Sequence, residues 1–450
     1  MLRLFRTRAA VLLTVIVAAF AGLWNKAQAA SLIRDAEVEN TIRTYATPLF
    51  EAAGLRPQDI DIFVIGDPTL NAFVAGGQNL FVNTGFLIKT HDASEVIGVI
   101  AHETGHIAGG HLARFSNRIN TSSNVALVTT LLGLLTAVAS GSGEAGIAVS
   151  QAGQGLALGN LLAYSRTQES SADQAGLGLL DRTGQSAKGL ASFLRTIENQ
   201  EFLSPNSQDP YVRTHPVTRE RVRQVEEHLR KSSYSGVKPK PELEEMHRRM
   251  VAKLIAFTDY PETVFNRYPE SDKSVAARYA RAIAYYRIPD LAKALPLVDG
   301  LIGDEPKNPY FHELKGQMLF ENGRIAESLA PNMESVRLLP DSALLRLGLA
   351  RSQIESNNPA LIKEAIKNLL FTTNAEPYYA FAWDQLAVAY GRDGQLGMSA
   401  LAQAEGALIR GRKKDALSHA ARAEKRLDKS SAAWRRLQDI KRVAGEKDRK

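Results

Sequence analysis

Apolar positions fall into two regimes along this chain. In the first half, short alternating runs mix with helical stripes, whereas from about residue 242 only helical spacing remains. Residues 31–53 place Leu32, Val38, Ile42 and Leu49 on one stripe and predict a helix. The β-rich runs 61–65 (DIFVI), 71–74 (NAFV) and 79–83 (NLFVN) are punctuated by Asp67-Pro68 and Gly76-Gly77. They predict a small sheet of about three strands. Residues 92–113 predict a helix capped by Asp92 or Ser94, with Val96, Val99, Ile100 and Ile107 apolar. Two apolar stretches follow, 124–139 and 146–162, the first closed by Ser140-Gly141-Ser142-Gly143. The first is about 16 residues, short of the roughly 20 that a membrane span needs. The pair reads as a buried helical hairpin, with a mobile flap or a membrane-contacting hairpin as the alternative. Residues 173–199 continue as helix, 204–211 are a polar loop, and His215-Pro216 precedes a charged helix at 219–231.

Residues 232–241 (SSYSGVKPKP) change the composition and place a domain boundary. Beyond it lie weak repeats of about 34 residues. Gly316 and Gly323 are seven apart, as are Ala387 and Gly394, and Trp383, Leu386 and Tyr390 complete a W-x-x-L-A-x-x-Y run. Pro340 closes one unit. These features fit tetratricopeptide repeats, in which small residues let paired helices approach, and about four helix pairs are expected between residues 273 and 440. The alternative is an irregular helical bundle.

Bulk composition changes this picture only at the edges. Of 450 residues, 44% are apolar and 23% charged, as in ordinary globular proteins. Formal net charge is +7, but Arg3, Arg6, Arg8 and Lys26 lie in the first 29 residues, which carry no acid. The remainder is too weakly basic to indicate nucleic acid, and the Lys/Arg-rich residues 410–450 read as a solvated helix face and tail. The basic start, the apolar stretch 9–24 and Ala27-Gln28-Ala29 form a signal-peptide pattern with a cleavage site; an uncleaved anchor is the alternative. With no cysteine, thiol catalysis, disulfides, thiolate metal sites and lipid attachment at cysteine are excluded.

The candidate chemistry is His102-Glu103-Thr104-Gly105-His106. At 3.6 residues per turn both imidazoles lie on one helix face and reach one metal ion. Glu103 points about 100° away, a poor ligand but well placed to act on a water. A catalytic zinc site needs a third protein ligand and an open fourth position. Gly109 fits HExxHxxGxxH, but position 112 is Leu112, and His111 is one residue out of register, which suits packing or hydrogen bonding better than ligation. Glu169 is a second source, with Asp173 one turn away to orient a ligand. His215 is a third.

HETGH, then SRTQESSAD (165–173), then Thr214-His215-Pro216 resemble the gluzincin peptidases related to HtpX and the CAAX prenyl protease. With the leader and the repeats, the whole chain is similar to the periplasmic beta-barrel assembly-enhancing proteases of Gram-negative bacteria. The resemblance implies an α+β, mostly helical fold: a zincin-like metallopeptidase core with a small sheet, then an all-α tetratricopeptide-type domain. It divides the chain into a signal peptide (1–29), a zinc metallopeptidase domain (30–241) and a repeat domain (242–450). It implies one zinc ion per chain, held by His102, His106 and Glu169, with Glu103 as general base. His215 would be a regulatory histidine able to become a fourth ligand, and Arg221 a basic residue near the oxyanion. Asn71-Ala72-Phe73 and Gly76-Gly77 resemble the family's edge-strand region, while the family's C-terminal cysteines are missing here. An extended substrate is expected along a sheet edge near residues 79–82.

The expected function is periplasmic endoproteolysis of misfolded or misassembled envelope proteins. The rival is a chaperone or assembly factor whose repeats act while the zinc site stays latent. A third reading is a membrane-embedded peptidase spanning the bilayer through 124–162. Expected partners are unfolded proteins, the outer-membrane assembly machinery through the repeats, and the membrane surface by peripheral contact.

Overall fold

The computed structural model describes residues 31–111, 166–203 and 207–445. The leader at 1–29 and the hairpin at 124–162 lie outside the described residues. The chain opens with β1 (Ser31–Ile33) and only then turns into α1 (Ala36–Ala52), so the stripe predicted from residue 31 starts late. The cause is Asp35, whose side chain accepts from the backbone N–H groups of Glu37 and Val38 and fixes the helix start. Leu32 is therefore a strand residue, while Val38, Ile42 and Leu49 form the buried stripe of α1.

The sheet has four strands where three were expected. After β1 come β2 (Ile62–Gly66), β3 (Ala72–Ala75) and β4 (Asn79–Asn83), in the spatial order β1-β2-β4-β3. β2 and β4 run parallel, and β1 and β3 pair antiparallel on either side. Ile62, Val64, Ala72, Val74, Leu80 and Val82 face the core. On the opposite face Phe63, Phe81 and Phe73 stack across three strands at 4.9 and 5.1 Å. The order corrects the expected substrate strand: β4 is interior, and the edge beyond it is β3.

Helices α2 (Thr84–Lys89) and α3 (Ala93–Ala108) follow, and the side chain of Asp92 caps α3 by accepting from Glu95 N–H. α3 stops before the expected residue 113 because Gly110 takes φ +61°. α4 (Arg166–Arg182) and α5 (Lys188–Ile197) split the single helix expected over 173–199, the break falling at Gly184 with φ +69°. The one-turn α6 (Pro210–Thr214) and α7 (Arg219–Lys231) complete a core built on α1, the sheet and α3.

α8 (Pro241–Thr258) belongs to two cores. Met250 and Leu254 pack into the first, while Val251, Ala252, Ile255 and Ala256 pack into a second with the helices that follow. After α9 (Pro261–Arg267) come five helix pairs: α10 (Val275–Arg287) with α11 (Leu291–Asp304), α12 (Pro309–Glu321) with α13 (Ile325–Leu338), α14 (Ala343–Glu355) with α15 (Pro359–Ala375), α16 (Ala380–Arg392) with α17 (Leu396–Ile409), and α18 (Lys413–Glu424) with α19 (Ala432–Gly445). Their first helices begin 34, 34, 37 and 33 residues apart. One pair more than expected is present because the last unit carries few of the repeat's marker residues. Within the array a Cβ on Gly316 would meet Asn332 Oδ1 at 2.2 Å, so that glycine sets the approach of α12 to α13.

Candidate metal centre and active site

The site forms where α4 crosses α3. A Cβ on Gly105 would lie 2.5 Å from the carbonyl oxygen of Ala172, and one on Gly176 3.0 Å from that of Ala101. The two backbones are thus in contact, and α4 presents Glu169 and Asp173, one turn apart, to the histidines of α3. His102 and His106 meet edge to face, ring centres 4.7 Å apart, with their Nε2 atoms at 3.1 Å. Glu169 Oε2 is 3.4 Å from His102 Nε2, and its Oε1 is 3.3 Å from His106 Nε2. His215, directly after α6, places Nδ1 3.2 Å from Glu169 Oε1 and 3.5 Å from His102 Nε2. All four side chains are buried.

Each of these residues offers one donor atom, and the four atoms lie within 4.8 Å of one another. Ligands around a tetrahedral zinc ion, with bonds of about 2.0–2.1 Å, are separated by about 3.3 Å. Most separations in the cluster bracket that value, and the donor set is imidazole and carboxylate, which suits zinc. Glu103 supports the fit: both its carboxylate oxygens are buried without a hydrogen-bond partner, with Oε1 3.5 Å from His215 Nε2. A zinc ion fits these residues.

Around the donors lies a charged frame. Asp173 Oδ1 is 2.8 Å from His102 Nδ1 and so orients that ring. Arg221, on α7, holds Asp173 with Nε at 2.6 Å and Nη2 at 2.9 Å. Its Nη1 contacts Glu169 Oε2 at 2.7 Å and donates to the carbonyl of Pro216 at 2.9 Å. Every nitrogen of this guanidinium is engaged. Arg221 thus lies against both carboxylates that α4 brings to the site.

Burial and neighbours set the charges. Burial raises Asp173, but Arg221 and His102 outweigh it and bring its pKa to about 2. Burial likewise opposes ionisation of Glu169, and His215 and Arg221 overcome it, so that carboxyl stays well below its usual range. Burial pushes Glu103 up, partly countered by His215 and His102. The two imidazoles diverge. Burial lowers His106 to about 3, whereas at His102 burial is overridden by Asp173, which raises it to about 10. Both must be neutral to hold a metal.

The profile of peptidase family M48 matches residues 33–229. The match spans somewhat less than half of the chain. It begins at the end of β1, runs through the HETGH helix, Glu169 and His215, and ends in α7. Across a longer span, the chain is 25% identical to the beta-barrel assembly-enhancing protease of Yersinia pestis over 393 residues, covering 85% of this chain and 78% of that one. It is 22% identical to the protein of that name from Escherichia coli K12 over 398 residues, covering 86% and 79%. The mitochondrial metalloendopeptidase OMA1 of Schizosaccharomyces pombe is 30% identical over 187 residues, 40% of this chain and 50% of that one. Among solved structures, the tetratricopeptide protein YrrB is similar over 40% of this chain and 92% of its own, with TM-score 0.32 and 15% identity. With the M48 match, the protease relatives and the buried donor cluster, this chain is a metalloendopeptidase acting on proteins.

One residue of the site was not visible from the sequence. Tyr211, on α6, is fully buried, stacks on His215 at 4.6 Å, and leaves its hydroxyl without a partner. Burial and the nearby Glu103 hold that phenol well above its usual pKa, so it stays a neutral donor. Its only sequence signal is its place one helical turn before His215.

Proposed function

We propose that this chain is a periplasmic zinc endopeptidase that cuts misfolded or misassembled proteins of outer-membrane assembly. The observation that carries the reading is the buried cluster His102, His106 and Glu169 with the Glu103 carboxylate, which accepts no hydrogen bond, beside it. The names of the Yersinia and Escherichia relatives support the setting. So does the leader pattern of residues 1–29, from which export and cleavage after Ala29 follow. No described helix is long and apolar enough to cross a membrane.

In this mechanism His102, His106 and Glu169 hold the ion, Asp173 orients His102, and Arg221 pins Asp173 and Glu169. When bound, zinc polarises the scissile carbonyl and makes water acidic near neutral pH. Glu103, its basicity raised by burial, takes a proton from water and returns it to the leaving amine. With Arg221 engaged elsewhere, the unpaired hydroxyl of Tyr211 is the donor available to a developing oxyanion. The substrate lies extended along β3, the edge strand, where backbone pairing gives affinity with little sequence selectivity. Catalytic and repeat regions divide at 241/242, with α8 packed against both.

A second reading, a chaperone or assembly factor with a latent site, is favoured by one observation: His215 completes four protein donors and leaves no open position. We take this as the resting state of the same enzyme, with partners of the assembly machinery held by the repeats. Two variants test the pair of readings. Glu103→Gln should lose cleavage of unfolded protein by roughly 10²–10⁴-fold while retaining zinc, and His215→Ala should raise basal cleavage. Wild-type cleavage by Glu103→Gln would refute the peptidase. Full rescue of cells with a defective outer membrane by that variant would favour the chaperone.

A further inference from the structure

We propose that His111 is the positioning residue for His106, holding that zinc ligand through a ring-to-ring hydrogen bond that sets its tautomer. The proposal rests on the zinc reading above and deepens it. A metal-binding imidazole is normally steered through its second nitrogen. For His102 that partner is Asp173. On His106 the second nitrogen, Nδ1, faces Nδ1 of His111 at 3.0 Å, with the rings 5.0 Å apart and nearly perpendicular. Both residues are buried, at 0% and 2% exposure.

The proton count between these nitrogens follows. His106 gives its Nε2 lone pair to the metal, so its Nδ1 carries the hydrogen. His111 Nδ1 therefore accepts, and the proton of His111 sits on its Nε2. His111 touches His106 from behind and is not part of the four-residue donor group.

The backbone is shaped around this contact. α3 ends at Ala108, and Gly110, directly before His111, takes φ +61°. A Cβ on Gly109 would come within 2.7 Å of His111 Nε2 and 3.0 Å of its Cε1. The Gly109-Gly110 pair thus lets the ring of His111 fold back onto the last turn of α3. The two ligands are backed by different groups, the Asp173 carboxylate behind His102 and the His111 ring behind His106.

The test measures zinc affinity of the full chain by competition with a chromogenic chelator, with circular dichroism to verify folding. His111→Phe keeps a ring and removes the acceptor. His111→Asn places Oδ1 near the former Nδ1 and keeps the acceptor. Gly109→Ala leaves His111 intact and displaces its ring. We expect His111→Phe to weaken zinc by about 10–100-fold, Gly109→Ala to weaken it in the same direction, and His111→Asn to stay close to wild type. A packing role predicts the opposite order of Phe and Asn. Wild-type affinity in His111→Phe, or equal losses in Phe and Asn, overturns the proposal. Should His111→Phe fail to fold, a tight Asn variant with a weak Gly109→Ala variant supports it, and the reverse overturns it. Retention of zinc by Glu169→Ala would instead refute the ligand set, while the order of the His111 variants could still be read.

Discussion

Arg221 is charged, 3% exposed, and matched nitrogen by nitrogen to Asp173, Glu169 and the Pro216 carbonyl. A guanidinium out of water is tolerable only with such matching, and its planar fork cannot be copied by an ammonium. Arg221→Lys should therefore weaken zinc binding by about 10–100-fold, read as metal lost on dialysis against a chelator. Unchanged retention would remove the arginine from the support of the site. A second buried group gives a pH signature. His247 on α8 lies 3.0 Å from the hydroxyl of Thr90, and burial lowers its pKa to about 4. Its folded state binds fewer protons than the unfolded chain below about pH 6.5, so its stabilisation is full above that pH and fades as pH falls to about 4. The loss is on the order of 3 kcal/mol. His247→Asn should flatten that slope in denaturant unfolding between pH 7 and 4. At this scale spacing put His102 and His106 on one helix face, and the Glu169/Asp173 pair gained meaning only with that motif upstream. The sequence was silent where partners decide. A basic residue at 221 announces charge but not the carboxylates it will face, and the isolated Tyr211 becomes a site residue only through burial beside His215.

Between elements, the decisive contact is the crossing of α3 and α4. The third residue after Glu103 is a ligand, but the residue before that ligand, Gly105, lets α4 come close enough to deliver Glu169. Gly105→Ala would drive a methyl to 2.5 Å from the carbonyl of Ala172, and backbone cannot yield as a side chain can. We expect a destabilisation of about 1–3 kcal/mol together with loss of bound zinc, measured as metal content of the folded protein. Full zinc occupancy would show that the crossing has slack. Hydrophobic periodicity predicted these helices and three of the strands, because each signal is local. It missed β1, which is three residues long, and it misjudged the edge, because the order β1-β2-β4-β3 is not the chain order. Helix ends were missed where Gly110 and Gly184 adopt positive φ, which a count of apolar positions cannot register.

For the whole molecule, the repeat period was legible because equivalent positions recur in the second and fourth pairs: Gly316 and Ala387 lie within the first helices, and Gly323 and Gly394 turn the chain at φ +75° and +76°. The join between halves was not legible. It is made of charge as well as apolar surface. Glu37 of α1 accepts from Arg249 of α8 at 3.0 Å and from the hydroxyl of Tyr279 of α10 at 2.8 Å, and Lys253 pairs with Asp35 at 2.7 Å. Farther along the array, Arg34 reaches Glu376 at 2.9 Å and lies over the ring of Tyr379. The start of the peptidase half is thus tied to the first helix pair and to the turn between the third and fourth, links that join residues hundreds of positions apart.

The double allegiance of α8 bears on how this protein comes apart. A nick in the largely exposed stretch 232–240 severs the covalent thread, yet Met250, Leu254 and His247 stay seated among residues from the other side of the cut. Limited proteolysis there should yield two bands on a denaturing gel and one particle by native sizing, parting only in denaturant. A recombinant catalytic piece ending at residue 240 should be insoluble, since it presents an empty apolar slot to water, and supplying the missing helix as a peptide should rescue it.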